Sequence, residues 1–140
     1  MSVERIFVDT NIILDWLGHR DPFFVFARSL FHKGENGEIQ ILISTMSYIS
    51  VEYILRKRLG TQRTLQALTG LRSISQVCSS GAKEIDLSLA SRFKDFEDAF
   101  QYYSALNNGA DVIISRDAKD YRYSDLSVMN AEQYLKTLAE

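Results

Sequence analysis

The 140-residue chain is most easily bounded by what it has little of. There is one cysteine, Cys78, so an internal disulfide and a cysteine-built zinc site are both excluded. The two histidines, His19 and His32, are too few for a histidine-rich metal centre. A single proline, Pro22, and seven glycines exclude collagen-like repeats and flexible linkers. No stretch approaches the roughly 18–20 consecutive apolar residues of a bilayer-spanning helix. The opening MSVERIFVDTN carries charges before any apolar run, unlike a secretory signal. These absences lead to the expectation of a soluble, reduced, cytoplasmic protein with no membrane contact. Three phosphate and acyl-transfer signatures are also missing: GxxxxGK[ST], GxGxxG and GxSxG. Asn11 stands two positions after Asp9, where phosphatases with an aspartyl nucleophile usually carry a second aspartate.

What is present describes a globular domain. Hydrophobic residues make up 46% and charged residues 24%, enough for one compact core and too apolar for a disordered chain. One domain covering 1–140 is expected. The formal charge of −2 is unevenly spread. Residues 1–52 are at −3 and residues 84–140 at −5. Between them, residues 53–83 hold Arg56, Lys57, Arg58, Arg63, Arg72 and Lys83 with no acid. A solvated helix usually mixes signs to gain i,i+4 pairs, so a one-sign block points to an anionic partner or to acidic neighbours.

The hydrophobic pattern alternates short apolar runs with helical stretches. Strands are expected at Arg5–Asp9, Ile39–Ser44, Ser73–Val77 and Asp111–Ser115, with an edge strand near Val128. Helices are expected at Thr10–Leu17, Phe23–Lys33, Tyr48–Leu59, Thr61–Leu71, Ser80–Arg92, Asp95–Asn107 and Ala131–Ala139. The run GENGE at 34–38 reads as a turn, and Asn108-Gly109 as a helix stop. No NG-type hairpin joins two strands, so the pattern indicates βαβ units around a parallel sheet.

In open α/β sheets, ligands gather at the carboxyl ends of the strands. Asp9 ends the first strand and Asp117 follows the fourth. Asp95 and Asp98, three apart, share one face of their helix, with Phe96, Ala99, Phe100 and Tyr103 expected on an apolar face. Each acid could be a helix cap. Together, carboxylates meeting at one rim repel unless a cation neutralises them. Oxygen ligands without histidine or cysteine favour Mg²⁺ or Mn²⁺, the ions of phosphodiester chemistry.

Three segments resemble the motifs of PIN domains. They are Phe7-Val8-Asp9-Thr10-Asn11-Ile12-Ile13-Leu14-Asp15, then Asp95-Phe96-Glu97-Asp98-Ala99, then Asp111-Val112-Ile113-Ile114-Ser115-Arg116-Asp117 with Lys119-Asp120-Tyr121. The order and spacing match nearly end to end, and Ala131–Leu135 is similar to the family's closing helix. The resemblance implies a three-layer α/β/α sandwich with a central parallel sheet. It implies a metal-dependent ribonuclease, often the toxin of a bacterial toxin–antitoxin pair of the VapC type. By the same resemblance, Asp9, Asp98 and Asp117 are the catalytic, metal-ligating acids, with Asp95 as an auxiliary ligand. Thr10, Asn11 and Ser115 would donate hydrogen bonds beside the metal.

One position departs from the family. A glutamate usually stands six residues beyond the serine ending the second strand. Here that position is Ser50, and Glu52 lies two residues on, about 200° around a helix of ~3.6 residues per turn. This departure supports an alternative reading, a degenerate PIN domain that binds RNA or protein without cutting. A metal-dependent phosphatase is the third class. Arg56, Lys57, Arg58 and Arg116 are the candidate contacts to an RNA backbone. Tyr102, Tyr121 and Tyr123 are aromatic enough to stack bases, though packing roles also suit them. The apolar surplus of Phe23–Phe31 could meet an antitoxin or a second copy of the chain in a homodimer.

Overall fold

The computed structural model describes residues 3–139; Met1, Ser2 and Glu140, at the ends of the expected domain, lie outside it. Five strands are formed, β1 (Arg5–Val8), β2 (Gln40–Ile43), β3 (Ser75–Val77), β4 (Val112–Ile114) and β5 (Ser127–Met129). They line up in the order β3-β2-β1-β4-β5 and every pairing is parallel. The helices are α1 (Thr10–Leu17), α2 (Phe24–Glu35), α3 (Thr45–Leu59), α4 (Thr61–Ser73), α5 (Ala82–Leu89), α6 (Phe96–Asn107) and α7 (Ala131–Ala139). A 3-10 turn covers Ala118–Tyr121.

The sheet is buried on both sides, which is why its strands read as unbroken apolar runs. Alternation along β1 sends Ile6 and Val8 to one face and Phe7 to the other. The first face meets α1, α2, α3, α4 and α7 through residues such as Ile12, Phe31, Leu55, Leu71 and Tyr134. The second meets Tyr102 and Ala105 of α6, together with Tyr121. This is the three-layer arrangement expected from the sequence.

Several expectations shift: Ser73, expected to open β3, ends α4 instead, and α5 spans Ala82–Leu89 rather than Ser80–Arg92. The GENGE segment is not a turn throughout, because α2 continues through Gly34 and Glu35. A Cβ at Gly34 would collide with the Ile41 side chain of β2, so this glycine serves close helix–strand packing. Gly37, at φ +78°, makes the actual turn. Helix α3 starts three residues before Tyr48 because Ser44 caps it, its Oγ accepting from Ser47 N at 3.1 Å. The buried residues of α6 are Ala99, Gln101, Tyr102, Ser104 and Ala105, while Phe96 is 48% exposed. The apolar face read from the sequence is therefore rotated, because hydrogen bonding lets Gln101 and Ser104 enter the interior.

Candidate active site

Strand β1 delivers Asp9 to the carboxyl edge of the sheet at its centre. The carboxylate is 8% exposed and accepts four hydrogen bonds. Oδ1 receives Thr10 N at 2.8 Å and Gln101 Nε2 at 3.2 Å. Oδ2 receives Ser115 Oγ at 2.8 Å and the Tyr121 hydroxyl at 3.0 Å. Asp9 is thus the cap of α1 and also the hub of a buried polar network. Gln101 Nε2 donates to Ser47 Oγ as well, and Ser44 Oγ donates to Gln101 Oε1 at 2.5 Å. Thr10 and Ser47 hydroxyls are 2.7 Å apart. Four donors, from α1, α6, the end of β4 and the 3-10 turn, fix the acid in one orientation. The Tyr121 phenol stays protonated because burial, and then the adjacent Asp9 charge, raise its pKa well above the usual value.

Asp117 is exposed and joins the same network through two side chains. Asn11 Nδ2 donates to Asp117 Oδ2 at 3.1 Å, and Asp117 N donates to Ser115 Oγ at 3.1 Å. On the other side, α6 brings Asp98 to the edge in its first turn. Asp95 caps that helix, accepting from Glu97 N at 2.8 Å and Asp98 N at 3.2 Å. Burial, followed by the charges of Asp95, Asp120, Asp9 and Glu97, pushes the Asp98 carboxyl up to about 7. Glu97 is also raised, by burial and then by Asp95 and Asp9. Asp95, Asp98 and Asp120 line a cleft of about 240 Å³. Its rim carries Lys94, Lys119 and Arg122, with Phe93 and Tyr123 as walls.

The structure therefore groups Asp9, Thr10, Asn11, Ser115 and Asp117 by hydrogen bonds, and Asp95 and Asp98 by charge. Other sequence candidates lie in different surroundings. Glu52 pairs with Arg56 at 3.5 Å along α3. Lys57 sits over the Tyr53 ring at 4.2 Å. Arg58 donates to Gly18 O at 2.9 Å, closing the end of α1. Arg116 faces the buried Asp15 carboxylate at 3.0 Å and covers the Phe23 ring at 4.0 Å. Ser50, half-buried on α3, is among none of the hydrogen bonds to Asp9, Asp95, Asp98 or Asp117. Tyr102 is a packing residue, 4% exposed, stacked on Phe93. The sequence did not point to Gln101, Glu97, Asp120 or the Tyr121–Asp9 bond. Gln101 lies three residues beyond Asp98 inside an otherwise apolar face, which was the one available signal.

The donor set can be tested against the cation that the resemblance implies. Every acid here offers oxygen, as Mg²⁺ and Mn²⁺ require. The Asp98 carboxyl is raised first by burial and then by four neighbouring acids, and a cation would relieve that second contribution. Among the described residues, no three Asp, Glu, His or Cys side chains already close around one point. Asp95, Asp98 and Asp120 line the cleft while Asp9 and Asp117 stand outside its lining, and the oxygen donors fit a hard cation by chemistry and charge.

Comparison with known proteins agrees with this geometry. The PIN domain family model matches residues 5–119. Ribonuclease VapC1 of Aquifex aeolicus (strain VF5) is 25% identical over 139 residues, spanning 96% of this chain and 95% of that protein. The fold is also similar to VapBC2 of Rickettsia felis, solved bound to a DNA fragment from its promoter. That likeness has a TM-score of 0.68 and 18% identity, covering 90% of this chain and 98% of the other. Mycobacterium tuberculosis VapC20, described as a sarcin–ricin loop cleaving toxin, has a TM-score of 0.68 and 17% identity over 84% of this chain and 94% of its own. Sequence motifs, sheet order and the acidic carboxyl edge converge, and the chain belongs to the PIN domain family.

Proposed function

We propose that this chain is a metal-dependent endoribonuclease, the toxin of a toxin–antitoxin pair. The observation that carries the reading is the gathering of Asp95, Asp98 and Asp120 in one cleft fringed by Lys94, Lys119 and Arg122. Uncompensated carboxylates at a strand edge suit a site completed from outside. The names of the relatives, a ribonuclease and toxin–antitoxin complexes, support the same activity class and an antitoxin partner. Among the described residues, no helix is long and apolar enough to cross a membrane.

Asp9, Asp98 and Asp117 would hold the ion, with Asp95 beside them. A bound Mg²⁺ or Mn²⁺ supplies polarisation of phosphate oxygens and acidification of a water. The protein's own groups do the rest. Ser115, Tyr121, Gln101 and Thr10 N hold the Asp9 oxygens in place, so no reorientation is needed as charge develops. Asn11 fixes Asp117. Lys94, Lys119 and Arg122 stand where an RNA strand would cross the cleft and offset the repulsion between phosphates and acids. Arg56, paired with Glu52, and Lys57, over Tyr53, lie in the last turns of α3 and would meet RNA only away from the cleft. Arg58 and Arg116 are held by Gly18 O and Asp15, and would meet RNA only as secondary contacts.

The test is direct. Purified protein, freed of any co-purifying inhibitor, is incubated with single-stranded RNA and Mn²⁺. Cleavage that stops with chelator and returns with Mn²⁺ is expected. Intact RNA at enzyme excess, with retardation on a gel that needs no metal, would instead favour the non-cleaving reading motivated by Ser50.

A further inference from the structure

A second cleft, of about 230 Å³, opens between α1, the start of α2 and the start of α7. Ile12, Phe26 and Ala27 make its apolar wall, and Phe23 stands at the mouth, 38% exposed. Its polar lining is Asn130, Glu132 and the Asp15–Arg116 pair. The Asp15 side chain is 1% exposed and that of Arg116 is 29% exposed. Both Asp15 carboxylate oxygens, and Arg116 Nε, are buried without a hydrogen bond of good geometry. Burial dominates the raised Asp15 pKa, outweighing the opposing pull of Arg116 and Arg20.

A buried ion pair is weak support for stability, since its desolvation cost can exceed its Coulombic gain. What this pair does geometrically is hold a guanidinium plane over Phe23, 4.0 Å from the ring centroid. Its position is tied to the acidic site. Asn11 Oδ1 accepts from Arg116 N at 3.4 Å, while Asn11 Nδ2 donates to Asp117. Asn11 and Asp15, one turn apart on the same face of α1, therefore meet Asp117 and Arg116 respectively, which ties this cleft to the proposed ligand Asp117.

We propose that this second cleft takes one unstacked base of the RNA, next to the phosphate engaged at Asp9 and Asp98. The base lies on the Phe23–Arg116 platform, and Asp15 is the positioning residue that holds Arg116 there. This rests on the ribonuclease reading. A base is favoured over a second phosphate because the Arg116 charge is already matched by Asp15, leaving its flat face as the recognition surface. A base is favoured over an apolar side chain of a protein partner because Arg116, Asn130 and Glu132 on the lining offer polar groups to the edge of a stacked ring. Single-stranded RNA is commonly held by stacking bases on aromatic rings and arginine planes.

Phe23→Ala and Phe23→Trp are compared with wild type, all checked for folding by circular dichroism. One arm maps cut sites in a randomised single-stranded RNA pool with Mn²⁺. Phe23→Ala is expected to flatten the base preference at one position beside the cut and to weaken RNA binding about five- to a hundredfold, with kcat nearly kept. Phe23→Trp is expected to restore both. The second arm needs no cleavage: AMP, GMP, CMP and UMP are titrated, and contact with the protein is read by saturation-transfer NMR. Binding lost in Phe23→Ala and kept in Phe23→Trp supports the pocket even if wild type cuts no RNA, in which case only the ribonuclease reading falls. Unchanged base preference and unchanged nucleotide contact in Phe23→Ala would overturn the proposal. Loss confined to the grip on a protein partner, with RNA binding intact, would overturn it too.

Discussion

The two ends of the sheet carry the same kinds of residue and treat them in opposite ways. At the amino end, Arg5 donates to Asn108 O at 2.7 Å, Gly109 O at 3.2 Å and Gln40 Oε1 at 2.6 Å. Asp111 accepts from Arg5 N at 2.8 Å, and the Tyr134 hydroxyl donates to Glu4. Each of these charged side chains is hydrogen-bonded within the chain. At the carboxyl end, Asp98 is crowded by Asp95, Asp120, Asp9 and Glu97. Only Asp9 is heavily hydrogen-bonded, and its donors are neutral groups. Closed electrostatics mark the end that locks strands to loops. Open electrostatics mark the end where the proposed cation and substrate would bind.

This contrast can be broken most sharply at Asp9. Asp9→Asn is expected to lower RNA cleavage by about 10³-fold, the scale of several kcal/mol of lost charge stabilisation. Single-turnover cleavage rates would show it, and near-wild-type cleavage would remove the carboxyl edge as the active end. Arg5→Ala should do the reverse. Losing its charge-assisted hydrogen bonds should cost about 2–4 kcal/mol of stability, read from the denaturant midpoint. Cleavage per folded molecule should be unchanged.

Metal provides a finer probe. Mn²⁺ at about 100 times its dissociation constant should stabilise the wild type by about 2.7 kcal/mol. Thermal melts should show the same rise in Arg5→Ala and little rise in Asp9→Asn. A rise retained in Asp9→Asn would place the ion elsewhere.

The smallest effect is a pH dependence. The folded Asp98 carboxyl titrates near 7 against an ordinary 3.8, so between these values the native state binds more protons than the unfolded one. Stability from this group therefore falls as pH rises from about 4 to about 7, and the deficit persists above. Asp98→Asn removes it. In chelator, the variant's melting temperature should exceed wild type at pH 8 and match it near pH 4. An equal gap at both pH values would show that Asp98 is not crowded by its acidic neighbours.

Much of the fold was legible because its signals are local. The apolar runs RIFV and VII, the helix boundaries of α1 and α7, and the Asn108-Gly109 stop follow from pattern and turn chemistry. Asp9 and Asp98 were legible as rim residues for the same reason. Gly34 was misread because a glycine needed for close packing looks, in sequence, like a glycine needed for a turn. Gln101 and Tyr121 were missed because their partner, Asp9, is 92 and 112 residues away. Arg116 looked like a free cation because nothing in the sequence reveals that Asp15, 101 positions earlier, is buried against it.

The sequence by itself determined the alternation of strands and helices, the one-sign basic stretch, and which acids stand at strand and helix ends. Those properties depend on neighbours a few residues apart. The tertiary structure alone decided which charges are closed and which are left open. Compensation is a matter of distance and burial, and the parallel sheet brings together side chains that the chain keeps a hundred residues apart. That is why Asp111 and Asp98, both acids near the same central strands, end as a structural acceptor and a crowded carboxyl at opposite edges.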